Sequence, residues 1–215
     1  MKMIVFSSTA ATYGNPITIP IDEDHPQKPI NPYGKTKLAI ENMMDDYSTA
    51  YGLRSIRLRY FNVVGADPKL RTGESHDPET HLIPNIIKAV LDGRTFSVYG
   101  NDYDTEDGTC IRDYINVSDL IDAHLLALDY LRKGGKTDYF NLGTGGGNSV
   151  MDIISVCEKV IGKKVEYQIK DRRPGDPDIL IADSSKAKKI LGWCPSRNLE
   201  DSIYTAYQWE STRRI

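Results

Sequence analysis

A tyrosine and a lysine four residues apart, Tyr33 and Lys37, could together move a proton. They follow Asn31 and Pro32, a pair typical of a helix start, so both side chains should project from one face of the first helical turns. A fixed ammonium stabilises the phenolate form of a nearby tyrosine, and such a base can take a proton from a hydroxyl group. The pair alone is weak evidence, because any amphipathic helix can contain it.

Three hydroxyl side chains, Ser7, Ser8 and Thr9, precede the tyrosine by about 25 residues. The apolar run at residues 3–6 predicts a buried parallel strand that ends in a loop at residues 7–9. A hydroxyl at the end of that strand could hydrogen-bond the reacting oxygen and hold it near Tyr33. The sequence therefore predicts a set of hydroxyl, phenol and ammonium groups that handles a proton.

The elements that must position these groups follow a β-α-β order. A helix is predicted from residue 32 to about 51, closed by Gly52, and then a strand at 55–61 with an exit loop at 62–65. The remaining predicted elements are helices at about 82–91, 119–131 (capped by Ser118), 149–161 and 199–213, and strands at 96–99, 139–142 and 165–169. Strands that alternate with helices in this way indicate an α/β protein with a doubly wound, Rossmann-like parallel sheet.

A glycine-rich run at residues 143–147 lies between a predicted strand and a predicted helix, where dinucleotide-binding loops occur. The third glycine of that fingerprint would fall at Asn148, and no acidic residue ends a following strand about 20 positions on. We interpret the run as a tight strand-to-helix connection.

Composition favours a small-molecule substrate. The 215 residues carry a formal net charge of −3 with no basic run, which argues against nucleic acid or an anionic membrane as a partner. No apolar stretch approaches the roughly 20 residues that cross a bilayer. The apolar run at the start of the chain is too short for the core of a signal peptide. We expect a cytoplasmic protein.

The cysteines and histidines give no sign of a metal site. Three cysteines are scattered along the chain, which fits neither a disulfide framework nor zinc ligation. His25, His76 and His124 show no spacing that suggests a ligand or a base, so the sequence predicts no metal.

Longer motifs resemble the extended short-chain dehydrogenase/reductase superfamily. These are residues 7–14 (SSTAATYG), 32–37 (PYGKTK) and 59–66 (RYFNVVGA). Residues 100–114 and 172–176 resemble the UDP-glucose 4-epimerase family in particular. The similarity runs over essentially the whole chain.

This resemblance implies that UDP-glucose and UDP-galactose are interconverted by NAD-dependent oxidation at C4, rotation of the 4-keto sugar and re-reduction. Dehydratase and decarboxylase relatives carry acidic residues one or two positions after the catalytic threonine, where this chain has Ala10 and Ala11. Elimination is therefore disfavoured. A noncatalytic UDP-sugar-binding protein or degenerate relative stays the alternative. The resemblance also implies a homodimer when the protein is full length.

Residue roles are carried over from the same resemblance. It implies Tyr33 as the catalytic base, Lys37 as the group that holds the nicotinamide ribose, and Thr9 as the hydroxyl on the sugar's 4-oxygen. Ser7 and Tyr60 are the further implied cofactor contacts. The implied UDP-sugar contacts are Asn62, His81, Leu82, Arg112 and Arg173 at the diphosphate, Val98 and Tyr99 at the uracil, Asp176 at the uridine ribose, and Leu180 beside the C2 substituent.

Several of these residues also have ordinary structural explanations. Arg112 could pair with Asp113 or Asp107, Arg173 could pair with Asp171, and Tyr99 could be a core aromatic. A tyrosine in place of Leu180 restricts members of the family to unsubstituted hexoses. The shorter leucine therefore suggests that UDP-N-acetylhexosamines are substrates as well.

The resemblance also predicts how the chain is divided. Residues 1–64 and 113–143 would be the remainder of the NAD-binding Rossmann-like domain, and residues 65–112 and 144–215 the UDP-sugar-binding domain. No first βαβ unit with a glycine-rich phosphate loop precedes residue 1, so we expect an inactive, poorly soluble fragment. A truncated gene, a partial sequence and an internal start all stay open.

Overall fold

The computed structural model describes residues 2–173 and 175–213, in which strands and helices alternate. In chain order these elements are β1 (Met3–Thr9), α1 (Pro32–Tyr51), β2 (Arg54–Tyr60), β3 (Asn62–Val64), α2 (Leu82–Asp92), β4 (Phe96–Tyr99), β5 (Ile111–Arg112), β6 (Tyr114–Asn116), α3 (Val117–Arg132), β7 (Asp138–Leu142), β8 (Asn148–Ser149), α4 (Val150–Ile161), β9 (Tyr167–Lys170), β10 (Ile179–Leu180), α5 (Ser185–Leu191) and α6 (Leu199–Thr212).

Three parallel strands, in the order β1-β2-β7, form the sheet that carries the candidate site. The pairing of β1 with β2 runs from Met3 opposite Arg54 to Thr9 opposite Tyr60. Because α1 joins these two parallel strands, the predicted β-α-β unit and the α/β fold class are confirmed. Thr9 and Tyr60 lie side by side at the carboxyl ends of their strands.

Helix α1 begins and ends where the sequence predicts. The Asn31 side chain accepts a hydrogen bond from the Gly34 N–H at 2.8 Å, and Gly52 closes the helix with a φ of 66°. Gly34 also permits a close approach, because a Cβ at this position would lie 2.3 Å from the Ala11 carbonyl oxygen. The first turn of α1 therefore packs directly against the 3-10 turn, residues 10–12, that follows β1.

Smaller sheets complete the structure. β3 pairs with β6 and β4 pairs with β9, both in parallel. β5 pairs in parallel with β10, which places Leu180 opposite Arg112, and antiparallel with β8. The proposed division of the chain into two domains stays a prediction.

Buried side chains form two large clusters. One is shared by α2, β4, α4 and α6 and includes Ile86 and Ile153. The other lies between the main sheet and α3 and includes Leu58 and Phe140. Each cluster excludes water from one layer of helices, which fixes those helices relative to the strands. Across the described residues, every helix is too short or too polar to cross a bilayer.

Several sequence predictions of the elements were wrong or incomplete in detail. Residues 7–9 extend β1, because they pair with β2, and residues 62–64 form β3, because they pair with β6. The cap of α3 is Asn116, not Ser118, since the Asn116 side chain accepts a hydrogen bond from the Ser118 N–H. The short lysine-rich helix α5 and the short strands β5, β6, β8 and β10 were not predicted. Strands pair with segments that are distant in the sequence, so the local sequence does not show where a strand begins or ends.

Candidate active site

A cavity of about 780 Å³ opens at the carboxyl ends of β1 and β2. Its size lies within the roughly 300–1,000 Å³ of small-molecule sites, and parallel α/β sheets bind ligands at this end of their strands. The predicted site residues in its wall are Thr9, Tyr33, Tyr60, Asn62, His81, Leu82 and Leu180.

Tyr33 and Lys37 project from the same face of α1. The Lys37 Nζ lies 5.6 Å from the centre of the Tyr33 ring and 5.0 Å from the centre of the Phe6 ring. It also donates a hydrogen bond to the Ser7 carbonyl oxygen at 2.9 Å. The ammonium is therefore anchored to β1 and held beside the phenol.

Ser7 is held by a histidine to which sequence analysis gave no role. The Ser7 Oγ lies 3.0 Å from Nε2 of His124, whose Nδ1 lies 2.8 Å from the Leu120 carbonyl oxygen. Since a carbonyl only accepts, Nδ1 carries the proton, and Nε2 of a neutral ring accepts from the Ser7 hydroxyl. Burial raises the pKa of Tyr60, the side-chain contact with Ser7 opposes that rise, and the nearby Tyr33 adds to it.

The hydroxyls at the end of β1 point to opposite sides. Thr9 lines the cavity, and its Oγ1 accepts from the Ala11 N–H at 3.2 Å, which leaves its own hydrogen free to donate. Ser8 is fully buried and donates to Glu41 beneath α1. Ala10 and Ala11 also line the cavity, where they present only methyl groups.

The remaining predicted residues form a second group beside the cavity. The Arg173 guanidinium carbon lies 4.3 Å from the centre of the Tyr99 ring, and Val98 is buried under the same strand. Nη2 of Arg112 lies 4.0 Å from Oδ1 of Asp176. Arg112 therefore pairs with another predicted substrate residue. Since Arg112 lies opposite Leu180, the second group adjoins the cavity.

The glycine-rich run at residues 143–147 binds a carboxylate of the protein itself. Asp113 is fully buried, and its side chain accepts from the N–H groups of Thr144 at 2.8 Å, Gly145 at 3.0 Å and Ala182 at 3.2 Å. Backbone N–H groups arranged in this way commonly bind phosphate. Because Asp113 uses them here, they are not directed at a phosphate, which supports the interpretation of this run as a strand-to-helix connection.

Charged groups at the cavity are paired with one another. Hydrogen bonds from Arg71 lower the pKa of Asp67 to about 2, so this carboxylate stays ionised. A hydrogen bond to Glu74 raises the pKa of His81 to about 8, with burial opposing and Glu79 adding to the rise. His81 is half-exposed at the cavity rim.

Comparison with known proteins identifies the family. The family profile described as GDP-mannose 4,6 dehydratase matches residues 1–205. The chain belongs to this family. GDP-mannose 4,6-dehydratase-type proteins are extended short-chain dehydrogenases/reductases, as residues 7–14 and 32–37 predict.

Several proteins similar to this chain are named UDP-glucose 4-epimerases. The enzyme named so from Halalkalibacterium halodurans is 54% identical over 211 residues, which cover 97% of this chain and 63% of that relative. The structure of the Brucella ovis epimerase with NAD is 46% identical, with a TM-score of 0.92 over 97% of this chain and 65% of that one. The Bifidobacterium longum epimerase with NAD+ and UDP is 39% identical, with a TM-score of 0.93 over 99% of this chain and 64% of that one.

These comparisons confirm the resemblance to UDP-glucose 4-epimerases. They also show that the chain spans 63 to 65% of the length of these relatives.

Proposed function

We propose that the cavity is the catalytic site of an enzyme that interconverts UDP-glucose and UDP-galactose. The observation that carries this proposal is the anchored Lys37 ammonium beside the Tyr33 phenol, in the same wall as the Thr9 hydroxyl. The names of the relatives supply the substrate, and the cavity supplies the groups that its chemistry requires.

The proposed roles follow from these contacts. Thr9 donates its free hydroxyl hydrogen to the sugar's 4-oxygen and so holds that oxygen near Tyr33. Tyr33 takes the proton of the 4-hydroxyl and later returns it, while the Lys37 ammonium stabilises the phenolate between the two transfers. The volume of about 780 Å³ leaves space for the sugar to present its other face before the proton returns.

The residues beside Tyr33 fit a nicotinamide ribose. An ammonium has three donors, and Lys37 uses one on the Ser7 carbonyl, so others remain for ribose hydroxyls. Lys37, Tyr60 and Ser7 would hold this end of NAD. When bound, NAD supplies the reversible acceptance and return of hydride at C4.

Epimerisation fits the cavity better than dehydration, although the family profile is named after a dehydratase. Removal of water needs an acid and a base beside the reacting sugar. Ala10 and Ala11 supply neither. Among the described residues of the cavity wall, the carboxylates are Asp67, bound by Arg71, and Glu74, bound by His81.

We propose that the second group holds the uridine diphosphate. Guanidinium groups fit phosphate oxygens well, so Arg112 and Arg173 are suited to the diphosphate. Asp176 would accept from a ribose hydroxyl, and Tyr99 offers a ring beside the base.

An assay of two preparations tests the function. The first is the chain alone; the second, called the joined protein below, is the chain joined to the part of the Halalkalibacterium halodurans enzyme that it does not match. We expect the joined protein with NAD to convert UDP-galactose to UDP-glucose. UDP-sugar binding without turnover would instead support a noncatalytic binding protein.

A further inference from the structure

Two glutamates and two histidines lie together at the cavity rim, in the irregular segment before α2. We name Glu74, His76, Glu79 and His81 the Glu/His cluster. One ligand atom from each of them lies within 4.8 Å of every other. Oε1 of Glu74 is 3.0 Å from Nδ1 of His76 and 2.6 Å from Nδ1 of His81. Oε1 of Glu79 is 3.9 and 3.1 Å from the same two nitrogens.

We propose that the Glu/His cluster binds one divalent transition metal ion, with Zn²⁺ the best fit. Imidazole nitrogen and carboxylate oxygen are both zinc ligands, with bonds of about 2.0–2.2 Å. Tetrahedral coordination at those lengths separates the ligand atoms by about 3.4 Å. The four Glu–His separations of 2.6 to 3.9 Å lie on both sides of that value, and every pair of ligand atoms lies within 4.8 Å, so small side-chain adjustments would suffice.

Charge also favours a cation. The two carboxylates carry a combined charge of −2, which one divalent ion would balance once it has displaced the Nδ1 protons and left both imidazoles neutral. Lys88 contacts only the outer oxygen of Glu79, Oε2 at 3.4 Å, which leaves Oε1 directed to the cluster. Imidazole ligands favour zinc, copper, iron or nickel over magnesium.

The ligands are already held in place from both sides. The Glu79 side chain is 5% exposed, and its Oε1 accepts from the N–H groups of Thr80 and His81. Asn85 donates from α2 to the carbonyls of Glu79 and His81. The Trp209 indole donates from α6 to the Glu74 carbonyl at 2.8 Å. Such supporting contacts orient metal ligands and are typical of built metal sites.

The ion would have a structural role. Four protein ligands fill a tetrahedral zinc site, which is the arrangement of structural rather than catalytic zinc. The ion would tie the segment before α2 to that helix and so fix the cavity rim. With Nδ1 on the metal, the remaining ring proton of His81 lies on Nε2, which makes this residue a fixed N–H donor.

Calorimetric titration of the untagged chain with zinc sulfate tests the proposal. The titrations use the Cys194→Ser form, because the exposed Cys194 thiol could itself bind zinc. We expect one ion per chain, an upward shift of Tm with zinc, and a tetrahedral visible spectrum when Co²⁺ replaces Zn²⁺. An excess of Mg²⁺ should not compete.

Substitutions locate the ion. His76→Gln and Glu74→Gln should each weaken zinc binding strongly. The loss should exceed the about 10–100-fold that is typical when a residue supporting a metal ligand is removed. The matched controls His124→Gln and Glu106→Gln should bind zinc like the parent. The His76 side chain is 55% exposed, so its replacement should leave the circular dichroism spectrum unchanged. Absence of saturable binding, an octahedral cobalt spectrum, or equal affinity in His76→Gln and the parent would overturn the proposal. None of these readouts depends on epimerase activity.

Discussion

At the scale of single residues, the site depends on how β1 holds Lys37. The Ser7 carbonyl fixes the ammonium, and His124 fixes the Ser7 hydroxyl. A lysine at this place in the sequence would not be enough by itself. The contact with β1 is what holds the Lys37 ammonium beside the Tyr33 ring.

Replacing Tyr33 tests its role as the base. Tyr33→Phe in the joined protein should lower turnover by about 10²–10⁴-fold, the usual contribution of a positioned base, and leave UDP affinity nearly unchanged. Lys37→Met should also lower turnover. It should shift the pH profile of kcat to higher pH, because the phenolate loses its nearest cation. Steady-state kinetics against pH and calorimetry with UDP measure both effects. An active Phe variant would refute the mechanism.

Leu180 tests sugar selectivity. This side chain lines the cavity and lies opposite Arg112, so a larger ring here would narrow the space near the bound sugar. In the joined protein, Leu180→Tyr should reduce kcat/KM for UDP-N-acetylglucosamine far more than for UDP-glucose. Leu180→Met, which conserves volume, is the control and should keep the parental ratio. Equal ratios in the Tyr variant and the parent would remove Leu180 from the argument.

At the scale of elements, the close packing of α1 on the turn after β1 sets the position of Tyr33. Gly34→Ala should destabilise the chain by about 1–3 kcal/mol, the usual cost of overpacking, although alanine favours helices more than glycine does. The added Cβ would meet the Ala11 carbonyl and push α1 from the cavity. Urea unfolding measures the loss, with Lys35→Ala as the exposed control. A more stable Ala variant would contradict the packing argument.

A buried ion pair ties α1 to β2 behind the cavity. Nη2 of Arg59 lies 2.6 Å from Oε2 of Glu41, and both side chains are almost fully buried. Burial raises the pKa of Glu41, but hydrogen bonds and attraction from Arg59 outweigh it, so the pKa is lowered. The pair therefore stabilises the fold above pH 4.5 and loses that effect as the pH falls through the lowered pKa.

Arg59→Met should cost about 3–5 kcal/mol at pH 7, because it leaves a buried carboxylate without its cation. The loss should shrink near pH 4, where Glu41 in the variant can be protonated. Urea unfolding at both values measures the difference. Lys159→Met, which removes an exposed ion pair with Glu200, is the control and should change stability little. A loss that is the same at both pH values would refute the assignment to Glu41.

At the scale of the whole molecule, the UDP-sugar is proposed to contact more elements of this chain than NAD does. The proposed UDP-sugar contacts come from β3, α2, β4, β5, β10 and the loop around Arg173, whereas the proposed NAD contacts all belong to the nicotinamide end. The glycine-rich run gives the NAD pyrophosphate no cradle, because Asp113 occupies its N–H groups.

We therefore expect the chain alone to bind UDP more tightly than NAD. Separate calorimetric titrations with UDP and with NAD measure this order. Arg112→Ala should weaken the binding of UDP and leave the binding of NAD unchanged. NAD affinity equal to or above that for UDP would show that the proposed cofactor contacts are misplaced.

The sequence by itself determined the features whose signals are local. The Asn31 cap, the Gly52 stop and the spacing of Tyr33 and Lys37 fix one helix and one of its faces, because helical geometry turns spacing into direction. Only the tertiary structure decided which side chains meet across long separations: Ser7 with His124, Asp113 with the glycine-rich run, and Glu74 with His81 in a segment without regular structure. In such a segment the path of the backbone, set by packing against α2 and α6, determines where each side chain points.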